Sequence, residues 1–434
     1  MRLALALLLV ASAAGAADEP SAERQVTALV GGRVLTMIGE PIDGATVIMA
    51  DGKITAVGSG IALPEGAQQI DARGMTVIPG LIDALSRLYV HPEDLAEPTA
   101  VAASLRIVDG LDLFTERTEE VLRQGVTAVH VAPGDRGVLA GLSALLKVGA
   151  TPGAVDIISA AVGVRGQIGV PAGSSTASLI RLADYASIRE ALLSAQDYLF
   201  AKRQYERRMA AFDRKLAEGQ AEGEGRGGGD ERPKRPDRPQ KPPTDPTNEV
   251  LAQVLDGTVP LLIEAHRVPD ILNALRLADE FGVRLVLLGC SEGYKVAAEI
   301  ARRHVPVIVA PVSASFSGAT RLRLGDHTAA NPGLLDKAGV NVVLGVGGET
   351  GLHSKFVRAT AALAVAGGMS RDRALAGVTS TAARILGVAD RIGTIAEGHD
   401  ADLVLIRGDP LDLEAPVEMV FVDGKPIYRR EAAQ

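Results

Sequence analysis

Cysteine is almost missing from this 434-residue chain: Cys290 stands alone, so no intramolecular disulfide can form and the core must hold the fold unaided. Tryptophan is absent and aromatics make up only 3 %, which leaves Leu, Val, Ile and Ala to do the packing. There is no basic excess. A net charge of −8 gives no reason to expect nucleic-acid binding, which needs a basic footprint. Apolar runs of bilayer-spanning length are missing as well, so no membrane span is expected. The one long apolar run near the start follows Arg2 and ends in the small residues "AGA" at 14–16. Residues 1–17 therefore read as a secretory signal peptide, and the mature protein is expected to be exported, to the periplasm.

What is present is patterned at two periods. Residues 18–76 alternate short strands with turns, as in "ATVIMADGKITAVG", where Asp51-Gly52 is a hairpin signal. The same style returns in 390–434, with Asp423-Gly424 as a second hairpin turn, so both ends are expected to build one small composite β-sandwich domain. Between them, in 77–389, β-branched runs such as "VPLLIEAH", "VRLVLLGC" and "VNVVLGVG" alternate with helix-length segments. Buried parallel strands read this way; repeated along the middle of the chain they make, most simply, an α/β fold of the (β/α)8 TIM-barrel type, with a doubly wound open sheet as the competing arrangement. A long charged helix is expected over 185–217. The Gly- and Pro-rich stretch 218–248 after it is expected to be a disordered insertion, because it has too little apolar surface to offset its ordering entropy.

Several motifs carry a resemblance: "VIPGLIDALS", "GVTAVHVAPG", "LLIEAHRVPDILNALRLADEFG" and above all "STAARILGVADRIGTIAEGHDADLVLIRGDPLD". With them the chain resembles the amidohydrolase superfamily, in its secreted imidazolonepropionase-like branch. That resemblance implies metal-assisted hydrolysis of C–N bonds other than peptide bonds, with one or two divalent ions, usually zinc, held at the C-terminal strand ends.

The residues at those ends depart from the family. Leu85 and Arg87 stand where strand one should offer a His-x-His pair, and no histidine lies between the signal peptide and His91. The strand-five histidine position falls at Glu264, with His266 two residues on. Gly289, followed by Cys290, takes the strand-six position, and Gly347 the strand-eight aspartate. A guanidinium offers no lone pair and repels a dication, so Arg87 opposes a metal directly. The metal site is expected to be lost and no cofactor is expected.

The remaining polar residues that could line the mouth are Asp83, Arg87, His130, Glu264, His266, Cys290, Glu349 and His353. A rebuilt zinc site from Glu264, His266, Cys290 and His353 is chemically conceivable, but the spacing matches no ligand pattern. Cys290 beside His266 echoes a Cys/His nucleophile pair, although a lone cysteine is more often a small apolar core residue. Asp83 could pair with Arg87. "GVGGETG" lacks the lysine and hydroxyl of a phosphate loop. Three roles stay open: a non-catalytic subunit, as a homo-oligomer or paired with an active amidohydrolase relative; a ligand-binding protein whose Arg87 clamps a small carboxylate-containing molecule; or an active hydrolase with a rebuilt or metal-free site.

Overall fold

Both ends of the chain meet in one sheet. In the computed structural model, which describes residues 26–91, 100–115, 118–134, 137–149, 153, 155–169, 177–225, 237–310, 325–347 and 351–431, the expected signal peptide lies outside the described residues. Strands β1 (Thr27–Val34), β2 (Ile42–Ala50) and β3 (Lys53–Gly58) form an antiparallel meander. On the other side of β1, β4 (Gln68–Asp71) and β5 (Thr76–Pro79) run parallel to it. From the far end of the chain, β16 (Leu403–Ile406), β17 (Val417–Val422) and β18 (Lys425–Arg429) add on antiparallel through β5. Because β5 pairs with both halves, the composite β domain is hydrogen-bonded from end to end. The two hairpin turns have the left-handed backbone that Asp-Gly supplies: Asp51 (φ 52) with Gly52 (φ 78), and Asp423 (φ 48) with Gly424 (φ 70).

Gly80 separates this sheet from the barrel. A Cβ there would sit 1.9 Å from Thr127 Oγ1, so the Pro-Gly step is a packing requirement. The barrel begins with β6 (Leu81–Ser86), followed by α1 (Thr118–Leu122) and the parallel strand β7 (Val126–Val131). The third position departs from a plain (β/α)8 plan. It is filled by β8 (Leu139–Leu142) and β9 (Ala144–Lys147), in line around Ser143 and antiparallel to both neighbours, with β10 (Ile157–Ser159) added outside. Only seven residues separate β7 from β8, and a parallel crossover needs a dozen or more. Strands β8 and β9 are buried throughout, Gly141 and Leu142 included. Strands β11 (Val164–Gln167), β12 (Leu261–Ala265), β13 (Leu285–Gly289), β14 (Val307–Val309) and β15 (Val342–Leu344) then follow in parallel. The ring closes where Gly347 N donates to Leu85 O at 3.1 Å.

Inside the ring, Ile82, Ala128, Leu145, Leu262, Val286 and Ile308 fill the lumen, and Ala382, Leu386 and Ile392 of the "STAARILG" region pack on them. Each buried Leu, Ile or Val contributes roughly 1.5–3 kcal/mol, which is how the fold is held without disulfides. The long helix is longer than expected: α2 spans Ala177–Gly225. The start of the expected disordered insertion, 218–225, is helical because Ala, Glu and Gln favour helix. Its end is ordered as well. Asp245 caps α3 (Pro246–Leu255), its carboxylate accepting from Asn248 N at 3.0 Å, with Pro246 opening the first turn. Residues 226–236 lie outside the described residues.

A buried cation, Lys147, helps to join the barrel to the β domain. Lys147, at the end of β9, places Nζ 2.8 Å from Asp400, 3.2 Å from Asp402 and 2.5 Å from Asp423, while Lys53 and Arg391 also reach Asp400. Burial pulls the Lys147 ammonium down, but the three carboxylates outweigh it and hold it above its usual range. Burial pushes Asp402 up to about 6 despite Lys147. The "DAD" of the closing motif is therefore a structural clamp. Removing one partner of such a cluster leaves uncompensated buried charge, so Lys147→Met is expected to cost about 3–5 kcal/mol in urea unfolding. A cost under about 1 kcal/mol would contradict the clamp.

Candidate active site at the barrel mouth

Strands four, five and six bring four polar side chains into a row. On β12 the pleat alternates, so Leu262 and Glu264 face the lumen while Leu261, Ile263 and Ala265 pack outward. The chain turns at His266-Arg267 into α4 (Val268–Phe281), which Pro269 opens and Gly282 (φ 65) ends. Glu264 Oε2 accepts from Arg165 of β11 in an ion pair, and Glu264 Oε1 lies 2.9 Å from His266 Nε2. The other ring nitrogen, His266 Nδ1, lies 2.7 Å from Ser291 Oγ. An ionised carboxylate can only accept, so Nε2 carries the ring proton and Nδ1 presents its lone pair to the serine. His266 keeps 14 % of its side-chain exposure, so the row reaches the mouth.

Ser291 is aimed by a sharp turn. β13 ends at Gly289 (φ 82), and Cys290 follows with φ 46, a left-handed conformation rare for a residue with a side chain. The turn is tied down on every side. Glu292 N donates to His266 O at 2.9 Å, and the Glu292 carboxylate accepts from Val268 N at 3.0 Å and Asp326 N at 2.8 Å. Asn331 Nδ2 donates to Cys290 O at 3.0 Å. A short 3₁₀ turn, Gly293–Val296, then leads into α5 (Ala297–Arg302).

The other expected site residues are spread out. Gly289 lies under the imidazole: a Cβ there would fall 2.4 Å from His266 Cε1, so a side chain at this position and His266 in its present place exclude each other. Cys290 packs in the outer apolar cluster, where burial pushes its thiol up, so it is a core residue and not half of a Cys/His pair. Asp83 faces out of the lumen, between Ile82 and Ala84 that face in. It accepts from Leu85 N and Val346 N, both at 3.0 Å, and from Ser354 Oγ at 2.7 Å, so it seals the seam between β6 and β15 rather than pairing with Arg87. Burial raises its carboxyl above the usual range, against the pull of those bonds and of nearby His353. His353 sits half-buried in the turn Gly351–Phe356, its ring 6.5 Å from that of Phe356. Leu85 packs on the lumen core, Arg87 follows β6 half-buried, Gly347 supplies the closing amide, and Glu349 lies outside the described residues.

His130 of β7 is fully buried, with Nδ1 2.8 Å from Ala84 O. Burial pulls its pKa down to about 4, with the charge of Arg165 adding to the effect. The ring is thus neutral, donates from Nδ1, and leaves Nε2 as a buried acceptor with no hydrogen-bond partner among the described residues. Among those residues no group of three or more His, Cys, Asp or Glu is placed to hold a metal ion. Glu264 and His266 are adjacent but bonded to each other, Cys290 faces outward, and the zinc set considered from the sequence is not gathered.

A composite β domain on a barrel whose polar groups gather at the C-terminal strand ends is the architecture of the amidohydrolase class. Residues 264–427 match the sequence profile of the Amidohydrolase family. An amidohydrolase of Thermotoga maritima MSB8 shares the fold at a TM-score of 0.76 and 27 % identity, over 93 % of this chain and 100 % of that one. Curated relatives match in one short stretch. An imidazolonepropionase of Brucella anthropi is 43 % identical over 63 residues, and a dihydroorotase of Citrifermentans bemidjiense 43 % identical over 68. The chain spans about 14 % of the length of these relatives.

Two members of the row, Ser291 and Arg165, escaped the sequence reading. The signals were there: "GCSEG" is a G-x-S-x-G step between a strand and a helix, and "VRGQ" sets a lone cation in an apolar strand. Two outcomes follow from the site. Gly289→Ala is expected to destabilise by about 3 kcal/mol in thermal or urea unfolding, through its left-handed backbone and the collision with His266. His130, whose folded pKa lies below the ordinary 6.5, contributes stability above pH 6.5 that is lost as pH falls toward 4, roughly 3 kcal/mol in all. Unfolding free energies measured from pH 7 to pH 4 should show that loss in the wild type and a flatter profile in His130→Gln; parallel profiles would refute it.

Proposed function

We propose that this chain is an exported amidohydrolase-family protein that has given up metal-dependent hydrolysis and keeps its barrel mouth as a metal-independent site for a small acyl ligand. One observation carries the reading: the carboxylate at the strand-five ligand position, Glu264, is bonded to Arg165 on one oxygen and to His266 on the other. Leu85 and Arg87 at strand one, and Gly289 beneath the His266 ring, support it from the neighbouring strands. A dication needs several lone pairs converging within about 2–2.5 Å. Here two of the candidate donors are spent on each other.

In its simplest form the protein binds a small carboxylate-bearing molecule, or serves as the silent partner of an active relative. The names of the curated relatives instead favour a hydrolase of C–N bonds. The hydrogen-bonded row from Glu264 to Ser291 gives that second form a metal-free route. Elemental analysis of protein purified from the periplasm should find well under one zinc, iron or manganese per chain, and a chelator should leave the melting temperature unchanged. Stoichiometric metal whose removal lowers the melting temperature would defeat the reading.

A further inference from the structure

Resting on the metal-independent reading, we infer that Ser291, His266 and Glu264 form an acyl-transfer triad: Ser291 Oγ is the nucleophile, His266 the base and Glu264 the carboxylate that orients it, acting on a small amide. Three features of the geometry point the same way. The nucleophile–base contact is 2.7 Å and the base–carboxylate contact 2.9 Å, both within the reach such a relay needs. The three residues stand at the C-terminal ends of neighbouring barrel strands, the face where barrel chemistry occurs. The serine follows a strained strand-to-helix turn in the G-x-S-x-G sequence Gly289–Gly293.

Two details differ from the usual serine triad. The ring is reversed, with Nδ1 toward the serine and Nε2 toward the carboxylate. The strain falls on Cys290 instead of on the nucleophile itself. Neither changes the proton logic. Glu264 fixes the tautomer, so the nitrogen facing Ser291 is the one able to take a proton. Arg165 holds the far oxygen of Glu264 and so fixes the carboxylate plane. Gly289 leaves room for the imidazole, which explains why the strand-six ligand position carries no side chain.

The reaction balances without an added cofactor. His266 Nδ1 takes the Ser291 Oγ proton as Oγ bonds to the amide carbonyl carbon, and the carbonyl π electrons move to oxygen. Collapse breaks the C–N bond, and the imidazolium gives its proton to the departing nitrogen, leaving an ester on Ser291. Water then attacks that ester with His266 again taking a proton, the C–O bond to Ser291 breaks, and the proton returns to Oγ. The products are the carboxylic acid and the amine.

Two small serine-directed probes, phenylmethanesulfonyl fluoride and a methyl fluorophosphonate, test the assignment on the full exported chain. Intact mass and peptide mapping should find one adduct, on Ser291. Ser291→Ala should abolish it. His266→Gln should slow labelling by about a thousand-fold and Glu264→Gln by less, each with a melting temperature that shows a folded protein. Cys290→Ala should label as the wild type does. Folded wild-type protein left unmodified at Ser291 by both probes, or labelling indifferent to His266→Gln, would overturn the triad. Metal content measured on the same sample separates the two readings. A labelled Ser291 with stoichiometric metal overturns only the loss of the metal, whereas neither label nor metal overturns only the triad.

Discussion

The carboxylate of Glu264 is the constraint around which the barrel mouth is arranged. One oxygen faces the Arg165 guanidinium and the other the His266 imidazole, so the group is compensated where it stands, in a lumen from which water is largely excluded. An unpaired carboxylate at that depth would be costly; a paired and hydrogen-bonded one is tolerated. Everything nearby follows from that pairing. His266 is fixed in one tautomer, its other nitrogen meets Ser291, and its ring occupies the space a side chain at 289 would need. A metal centre would require these same groups to turn their lone pairs to a common point. The pairing and the metal are alternative solutions to the same problem of buried charge.

The opposite end of the barrel is held together independently of the mouth. There the Lys147 cluster ties β9 to the Asp400–Asp402 segment and to the Asp423 turn, and the packing of Ala382, Leu386 and Ile392 supports the lumen core. These groups lie away from the mouth, so side chains there can change without loosening the link between barrel and β domain. Polar groups at the N-terminal end of a barrel serve stability, and those at the C-terminal end serve chemistry. Asp83 shows the division within a single strand. It sits between Ile82 and Ala84, which face the lumen, yet its carboxylate closes the β6–β15 seam from the outer side.

Much of the architecture was legible in the sequence because it rests on local rules. Period-two alternation marked the strands at both ends, Asp-Gly pairs marked the hairpins, and apolar runs separated by helix-length segments marked the barrel. The antiparallel third position was legible in principle, because the seven residues between β7 and β8 are too few for a parallel crossover. The helical start of the insertion was hidden by its glycines, and its ordered end by its prolines, although Asp245 and Pro246 form a clear helix start. At the mouth, the residues at the strand ends could be read one by one, but not which of them meet. Convergence of side chains from different strands is a tertiary fact. Cys290 drew attention as the rare residue, while its neighbour Ser291, one of many serines, proved to be the one beside His266.

Crystals grown with excess zinc and measured at the zinc absorption edge would test the central claim most directly. The account predicts no anomalous peak within bonding reach of Glu264 or His266, with Glu264 still on Arg165 and His266 Nδ1 still on Ser291 Oγ. A strong peak in the lumen, with Glu264 swung off Arg165 to ligate it, would contradict the account.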